Sequence, residues 1–148
     1  MRSTTTRQRI LTGLVVLTLC FIWGNSLMPG TISGAISDWV GAVLSRLLGG
    51  AVDTTAGHGI LRKLAHGTEY LVLGVELTLL LRLWQHRPWS LLALCGMSTA
   101  LFDETIQLFV AGRSGQIRDV WIDLGGFCAG VLLSILVENL RTRKCKKT

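Results

Sequence analysis

Four long apolar runs, each close to the length needed to cross a bilayer, constrain this chain more than anything else in it. They fall at residues 10–27, 71–83, 89–110 and 120–137, the second reaching back to about residue 65 if its polar head is included. With polar ends counted, each run is about 18–22 residues, and a helix needs roughly 20 to span the hydrocarbon core. Pro29 and Pro88 stand at run boundaries, where they interrupt no helix. A chain of 148 residues with four such runs has little left for a soluble domain. The expectation is an all-α integral membrane protein, one transmembrane domain over 1–148, with spans at about 10–28, 65–84, 89–110 and 119–139 and a basic tail at 140–148. The low charged fraction, 16%, agrees, since soluble domains carry about 25%.

A net charge of +6 raises nucleic acid as a partner, but the basic residues are sorted by topology instead. Arg2, Arg7, Arg9, Arg82, Arg87, Arg141, Arg143, Lys144, Lys146 and Lys147 would share one side of the membrane; Arg46, Arg62, Lys63, Arg113 and Arg118 would share the other. Cytoplasmic loops carry the excess of Lys and Arg, so both termini are expected in the cytoplasm and no nucleic-acid partner is expected. The first run is read as a retained helix. It follows a basic segment, as a signal peptide would, but it is long and Gly24-Asn25-Ser26-Leu27 is a poor cleavage site. Cys20, Cys95 and Cys128 lie inside runs and Cys145 in the tail, which gives neither a disulfide framework nor a Cys-x-x-Cys metal spacing.

Between the first two runs, Ile32, Ile36, Trp39, Val40, Val43, Leu44, Leu47 and Leu48 recur at helical spacing. The segment predicts a short external amphipathic helix, with Ser33 or Ser37 as N-cap and Gly49-Gly50 as its stop. A helix lying in the outer interface and one packed on the bundle share this periodicity. Residues 51–59 read as a flexible link.

Polar groups concentrate at three ends of the runs. They are Lys63, His66, Glu69 and Tyr70; Asp103, Glu104, Gln107 and Arg113; and Asp119 and Asp123. Charges inside a bilayer are costly and usually mark a site. With four crossings and the termini inside, all three ends come to the outer leaflet. Helical geometry, about 100° per residue, puts Lys63, His66 and Tyr70 on one face and lines up Asp119, Asp123, Gly126 and Gly130 on another. The glycines predict a close helix–helix seam that carries the acids inward.

These same segments resemble the VanZ-like family of small bacterial membrane proteins over almost the whole chain. The matching stretches are Asn25-Ser26 with Pro29; Lys63-x-x-His66-x-x-Glu69-Tyr70; Asp103-Glu104-x-x-Gln107-Leu108-Phe109-x-x-Gly112-Arg113; and Asp119-x-x-x-Asp123-x-x-Gly126-x-x-x-Gly130. The chain departs at Gly67, where an aromatic is usual, and at Ala111, where Pro usually precedes Gly-Arg. The resemblance implies a multi-pass protein of the bacterial cytoplasmic membrane and a link to reduced susceptibility to the glycopeptide teicoplanin. It implies no biochemical mechanism.

The expected function is to bind, and conceivably to modify, an anionic amphiphile of the cell envelope, either a membrane lipid or a lipid-linked precursor. If there is chemistry, His66 is the base, with Glu69, Asp103 and Glu104 completing the catalytic group. Lys63, Tyr70, Gln107, Arg113, Asp119 and Asp123 would bind the ligand, Arg113 gripping an anion. One of Asp103 and Glu104 is expected to pair with Lys63 or Arg113 and the other to face His66 or Gln107. Glu76 is expected to bond Ser98 or Thr99. No cofactor and no metal are expected, since a single His makes a thin zinc site, although a hard ion among Asp103, Glu104 and Asp123 is conceivable. The rival readings are a scaffold whose charges lock helices together and, more remotely, a small transporter. Homo-oligomerisation stays open.

Overall fold

The computed structural model describes residues 2–47, 54–83 and 89–145. Among them the fold is all helix: α1 (Arg2–Ser26), α2 (Gly30–Leu47), α3 (Thr54–Leu83), α4 (Trp89–Leu108) and α5 (Ile117–Cys145). Three stretches are long and apolar enough to cross a membrane: Thr5–Ser26, Ile60–Leu83 and Ile117–Arg143. The fourth expected span coincides with α4, which has 20 residues. Asp103 and Glu104 dilute its hydropathy, so α4 does not join the other three.

The bundle is organised around α3, which packs mainly on α5 and then on α1 and α2. Helix α4 leans on α5 and α1 and touches α3 least. The α3–α5 seam is close because glycines build it. A Cβ on Gly126 would collide with the Gly67 carbonyl, one on Gly130 with the Leu71 carbonyl, and one on Gly74 with the Phe127 carbonyl. This is the small-residue packing that the acid–glycine stripe predicted. A Cβ on Gly67 itself would meet only the Ile122 side chain, at 4.0 Å, so the seam does not explain why Gly stands there. On the other flank, Trp23 of α1 meets Phe102 of α4 edge-on, with ring centroids 5.0 Å apart.

Several local expectations need correction. Helix α2 begins at Gly30, ahead of both proposed caps. Pro29 ends the preceding turn, and its carbonyl accepts from the amides of Ile32 and Ser33 at 3.1 Å. Ser37 instead bonds back to the Ser33 carbonyl at 3.0 Å. The link at 51–59 is already helical from Thr54, so α3 has 30 residues; the rest of that link, and the Gly49-Gly50 stop, lie outside the described residues. Glu76 is bonded by Thr18 of α1 at 3.1 Å, not by Ser98 or Thr99. Cys128 and Cys20, both within apolar runs, are exposed on the bundle surface.

The loop between α4 and α5 is pinned to the α1–α2 corner. The Gly30 amide donates to the Ala111 carbonyl at 3.0 Å, and the Gly30 Cα lies against Gly112. Gly112 has φ +72°, which a side chain would strain. This clasp brings Arg113 over the end of α1. At the opposite end of the bundle, Arg82 of α3 meets Glu138 of α5 at 2.8 Å.

Candidate functional site

Three helix ends, the inner turns of α3 and one loop converge at the clasped end. The last turn of α1 brings Asn25 and Ser26. Successive turns of α3 bring Lys63, His66, Glu69 and Tyr70. The end of α4 brings Asp103, Glu104 and Gln107; the loop brings Arg113 and Gln116; and the start of α5 brings Asp119 and Asp123. All ten residues singled out from the sequence lie at this end. Tyr70 and Asp103 are fully buried, and Asp123 is 1% exposed.

Gln107 is the hub of the hydrogen bonding. Its Nε2 lies 3.2 Å from Ser26 Oγ, 3.3 Å from Asp103 Oδ2 and 3.4 Å from Glu104 Oε1. Asn25 Nδ2 donates to Glu69 Oε1 at 2.8 Å. Glu104 accepts the backbone N–H of Gln116 at 2.7 Å, which ties the end of α4 to the entry of α5. His66 Nδ1 stands 3.6 Å from Asp103 Oδ2 and 4.0 Å from Asp123 Oδ1. Both separations exceed hydrogen-bond length.

The ion pairs differ from those expected. Neither Asp103 nor Glu104 pairs with Lys63 or Arg113. Lys63 meets Asp119 at 3.3 Å. Arg113 reaches across the loop to backbone carbonyls: Nε to Met28 at 3.1 Å and Nη2 to Asn25 at 2.7 Å. Both carbonyls lie at or just past the end of α1, where backbone acceptors run out of helical partners, and the Asn25 carbonyl also accepts the Met28 amide at 3.2 Å; a guanidinium is a natural cap there. Burial, helped by the charge of Arg62, lowers the Arg113 pKa, against the pull of Asp103, Glu104 and Glu69. The second half of the expectation holds: Asp103 faces both His66 and Gln107.

Several buried polar atoms here lack any hydrogen-bond partner: His66 Nδ1, Glu69 Oε2, the Tyr70 hydroxyl, Asp103 Oδ1, Arg113 Nη1 and both oxygens of Asp123. Such atoms are uncommon in folded proteins and call for a specific explanation. One oxygen each from Asp103 and Asp123 and one nitrogen of His66 lie within 4.8 Å of one another, a grouping able to hold a metal ion.

A cavity of about 130 Å³ opens beside the cluster, between α2, the end of α1 and the start of α3. Its lining combines polar residues, Asn25, Ser33, Ser37, Arg62, His66 and Arg113, with apolar ones, Met28, Ile36, Val40, Leu61 and Ala65. A second void, of about 10 Å³, lies deeper, bounded by Lys63, His66, Gln107, Asp119 and Asp123.

Sequence reasoning left Asn25, Ser26, Arg62 and Gln116 out of the site. An amide and a hydroxyl at the end of an apolar run were the available signal for Asn25 and Ser26. Gln116 takes part through its backbone N–H, which no side-chain pattern reveals.

No curated protein and no solved structure matches the chain. The family model described as VanZ/LLP1 matches residues 6–138. That stretch takes in every residue assembled at the clasped end, and the chain belongs to the VanZ/LLP1 family.

Proposed function

We propose that the clasped end is an outer-leaflet site that binds an anionic amphiphile of the bacterial cell envelope, a membrane lipid or a lipid-linked precursor. One observation carries this reading. The cavity is lined by Arg62, Arg113 and His66 together with an apolar set, Met28, Ile36, Val40, Leu61 and Ala65, and the hydroxyls of Ser33 and Ser37. An anionic head with a hydrocarbon tail matches a lining that is both basic and apolar, and Arg presents a planar fork suited to phosphate or carboxylate.

The reading includes a topology. Helix α4 crosses the membrane as a fourth span, paired with the apolar α3 and α5. An even number of crossings leaves both termini in the cytoplasm, in keeping with the bias of Lys and Arg. Helix α2 lies along the outer interface, with Ile32, Ile36 and Trp39 exposed toward lipid. In a cysteine-free background, a cysteine at Thr55 should then react with an impermeant thiol reagent in intact cells, while one restored at Cys145 should not. The opposite labelling would move the site to the cytoplasmic face.

Binding is tested with purified protein in detergent. Phosphatidylglycerol and a polyprenyl phosphate should bind more tightly than phosphatidylcholine. A hydrogen bond to a charged group is worth about 1.5–3 kcal/mol, so Arg62→Ala should weaken anionic binding roughly tenfold or more. Equal binding of anionic and zwitterionic lipid, or no effect of Arg62→Ala, would sink the proposal. The family link predicts that cells relying on this protein lose tolerance to teicoplanin with the same variant. Acid–base chemistry on the bound head group is a second reading. It is favoured by His66, which lines the cavity while its Nδ1 faces Asp103.

A further inference from the structure

We propose that His66, Asp103 and Asp123 form a binding site for one divalent transition-metal cation, Zn²⁺ or Mn²⁺. The three side chains come from α3, α4 and α5, and their donor atoms already face one another. Two ligands of a tetrahedral ion at about 2.0–2.2 Å stand roughly 3.3–3.6 Å apart. The His66–Asp103 separation is 3.6 Å and the His66–Asp123 separation is 4.0 Å, so modest side-chain movements close the set. An imidazole with two carboxylates is a donor set suited to these ions.

Two independent observations point to a ligand. The first is the state of the donors. Asp123 is 1% exposed, and neither of its oxygens has a hydrogen-bond partner. Asp103 is fully buried with Oδ1 unpartnered, and His66 Nδ1 has no partner either. Buried carboxylates normally have partners or bind a metal. The second is the void of about 10 Å³ bordered by two of the three ligands, His66 and Asp123, and by Gln107, which bonds the third. That is about the room one water requires, and a water there would add to three protein ligands.

The charge balance agrees. Glu69, Asp103, Glu104, Asp119 and Asp123 gather at this end with Arg62, Lys63 and Arg113. The buried members of this set, Asp103 and Asp123 above all, are acids, and a cation between them would relieve their mutual repulsion. The ligands are also held in place. Gln107 donates to Asp103 Oδ2 at 3.3 Å, as orienting partners of metal ligands commonly do. The glycine seam fixes α3 against α5, and with it His66 against Asp123.

Since His66 also lines the larger cavity, a cation here stands next to the proposed head-group site. A metal would make His66 a ligand instead of a base. The role of the ion in holding an anionic head rests on the amphiphile reading; the cation site itself does not.

The test uses the untagged full chain in detergent, stripped with EDTA and dialysed against Zn²⁺ or Mn²⁺ in excess Mg²⁺, with no lipid added. Elemental analysis should find about one Zn²⁺ or Mn²⁺ per chain, and the melting temperature should rise on loading. His66→Ala and Asp123→Asn should each lose the ion and the thermal shift, while Glu138→Gln at the far end keeps both. Co²⁺ in place of Zn²⁺ should give visible d–d bands that vanish in Asp123→Asn. Folded, monodisperse wild-type protein that retains no ion would overturn the proposal. So would ion content unchanged in the His66→Ala/Asp123→Asn double variant. Either result leaves the lipid assay to decide the amphiphile reading on its own.

Discussion

The two ends of the bundle handle charge in opposite ways. At one end, Arg82 and Glu138 come from the facing helices α3 and α5 and meet at 2.8 Å, about a third open to solvent on the Glu138 side. At the other, the same two helices supply His66 and Asp123, 4.0 Å apart and almost wholly buried. The first arrangement pairs opposite charges and costs little. The second crowds carboxylates together with unpartnered oxygens among them. Helix packing alone gains nothing from such crowding, because an apolar contact of the same volume is often as stable or more so. Tension of that kind is expected where binding is retained at the expense of stability. Some of the cluster is also plain reinforcement, as Arg113 on its two carbonyls illustrates.

The largest effect should come from breaking what both ends share. Gly126→Val would drive a side chain into the Gly67 backbone. Backbone cannot yield as a side chain tip can, so the cost should be on the order of 3 kcal/mol or more. Little folded protein should then reach the membrane in a fractionation assay. At Gly125 an added Cβ would meet nothing within 4 Å, so Gly125→Ala should leave the yield unchanged. Equal yields from the two would mean that the seam is not what holds the ends together.

Within the clasped end, the groups under tension should separate from those that reinforce. In metal-free buffer, Asp123→Asn should leave the melting temperature unchanged or raised, since it removes a buried carboxylate with no hydrogen-bond partner. Arg113→Ala should lower stability by about 1.5–3 kcal/mol, the range for hydrogen bonds to a charged group. If Asp123→Asn destabilises as much as Arg113→Ala while each folded molecule keeps its binding, the cluster is interhelical glue and the scaffold reading takes over. A smaller loss, about 1–2 kcal/mol, is expected for Asn25→Ala, which removes the 2.8 Å bond to Glu69. Thermal unfolding beside wild type measures it.

The smallest effect belongs to the far end. Glu138 is 36% exposed, so its ion pair is screened. Arg82→Ala should cost no more than about 1 kcal/mol, and lipid binding should not change. A large loss of binding from that substitution would show that the two ends are coupled and would undo the comparison.

The apolar runs, the helical class and the meeting of three polar segments at one end were legible from residue order. Run length and side-chain periodicity depend on local geometry alone. The glycine stripe on α5 was legible for the same reason, since Gly126 and Gly130 follow Asp119 and Asp123 at helical spacing. Asn25 and Ser26 carried a readable signal, but nothing along the chain places the end of α1 against Glu69 and Gln107. Asp53, an N-cap residue type, stands just before the start of α3 at Thr54, but Gly57 and Gly59 follow within the first turns and break the helical signal.

By itself, then, the sequence determined which residues could be buried, which helix faces they occupy and which run ends gather the charges. Only the tertiary structure decided the partners: Lys63 with Asp119, Arg113 with the carbonyls of Asn25 and Met28, Glu104 with the Gln116 amide, and His66 between Asp103 and Asp123. The physical reason is range. Helical periodicity is set by neighbours three or four residues apart, whereas an ion pair or a hydrogen bond depends on distances of an ångström or less between helices far apart in sequence. Those distances are set by how closely the α3–α5 glycines let the backbones approach and by the clasp of Gly30 on Gly112.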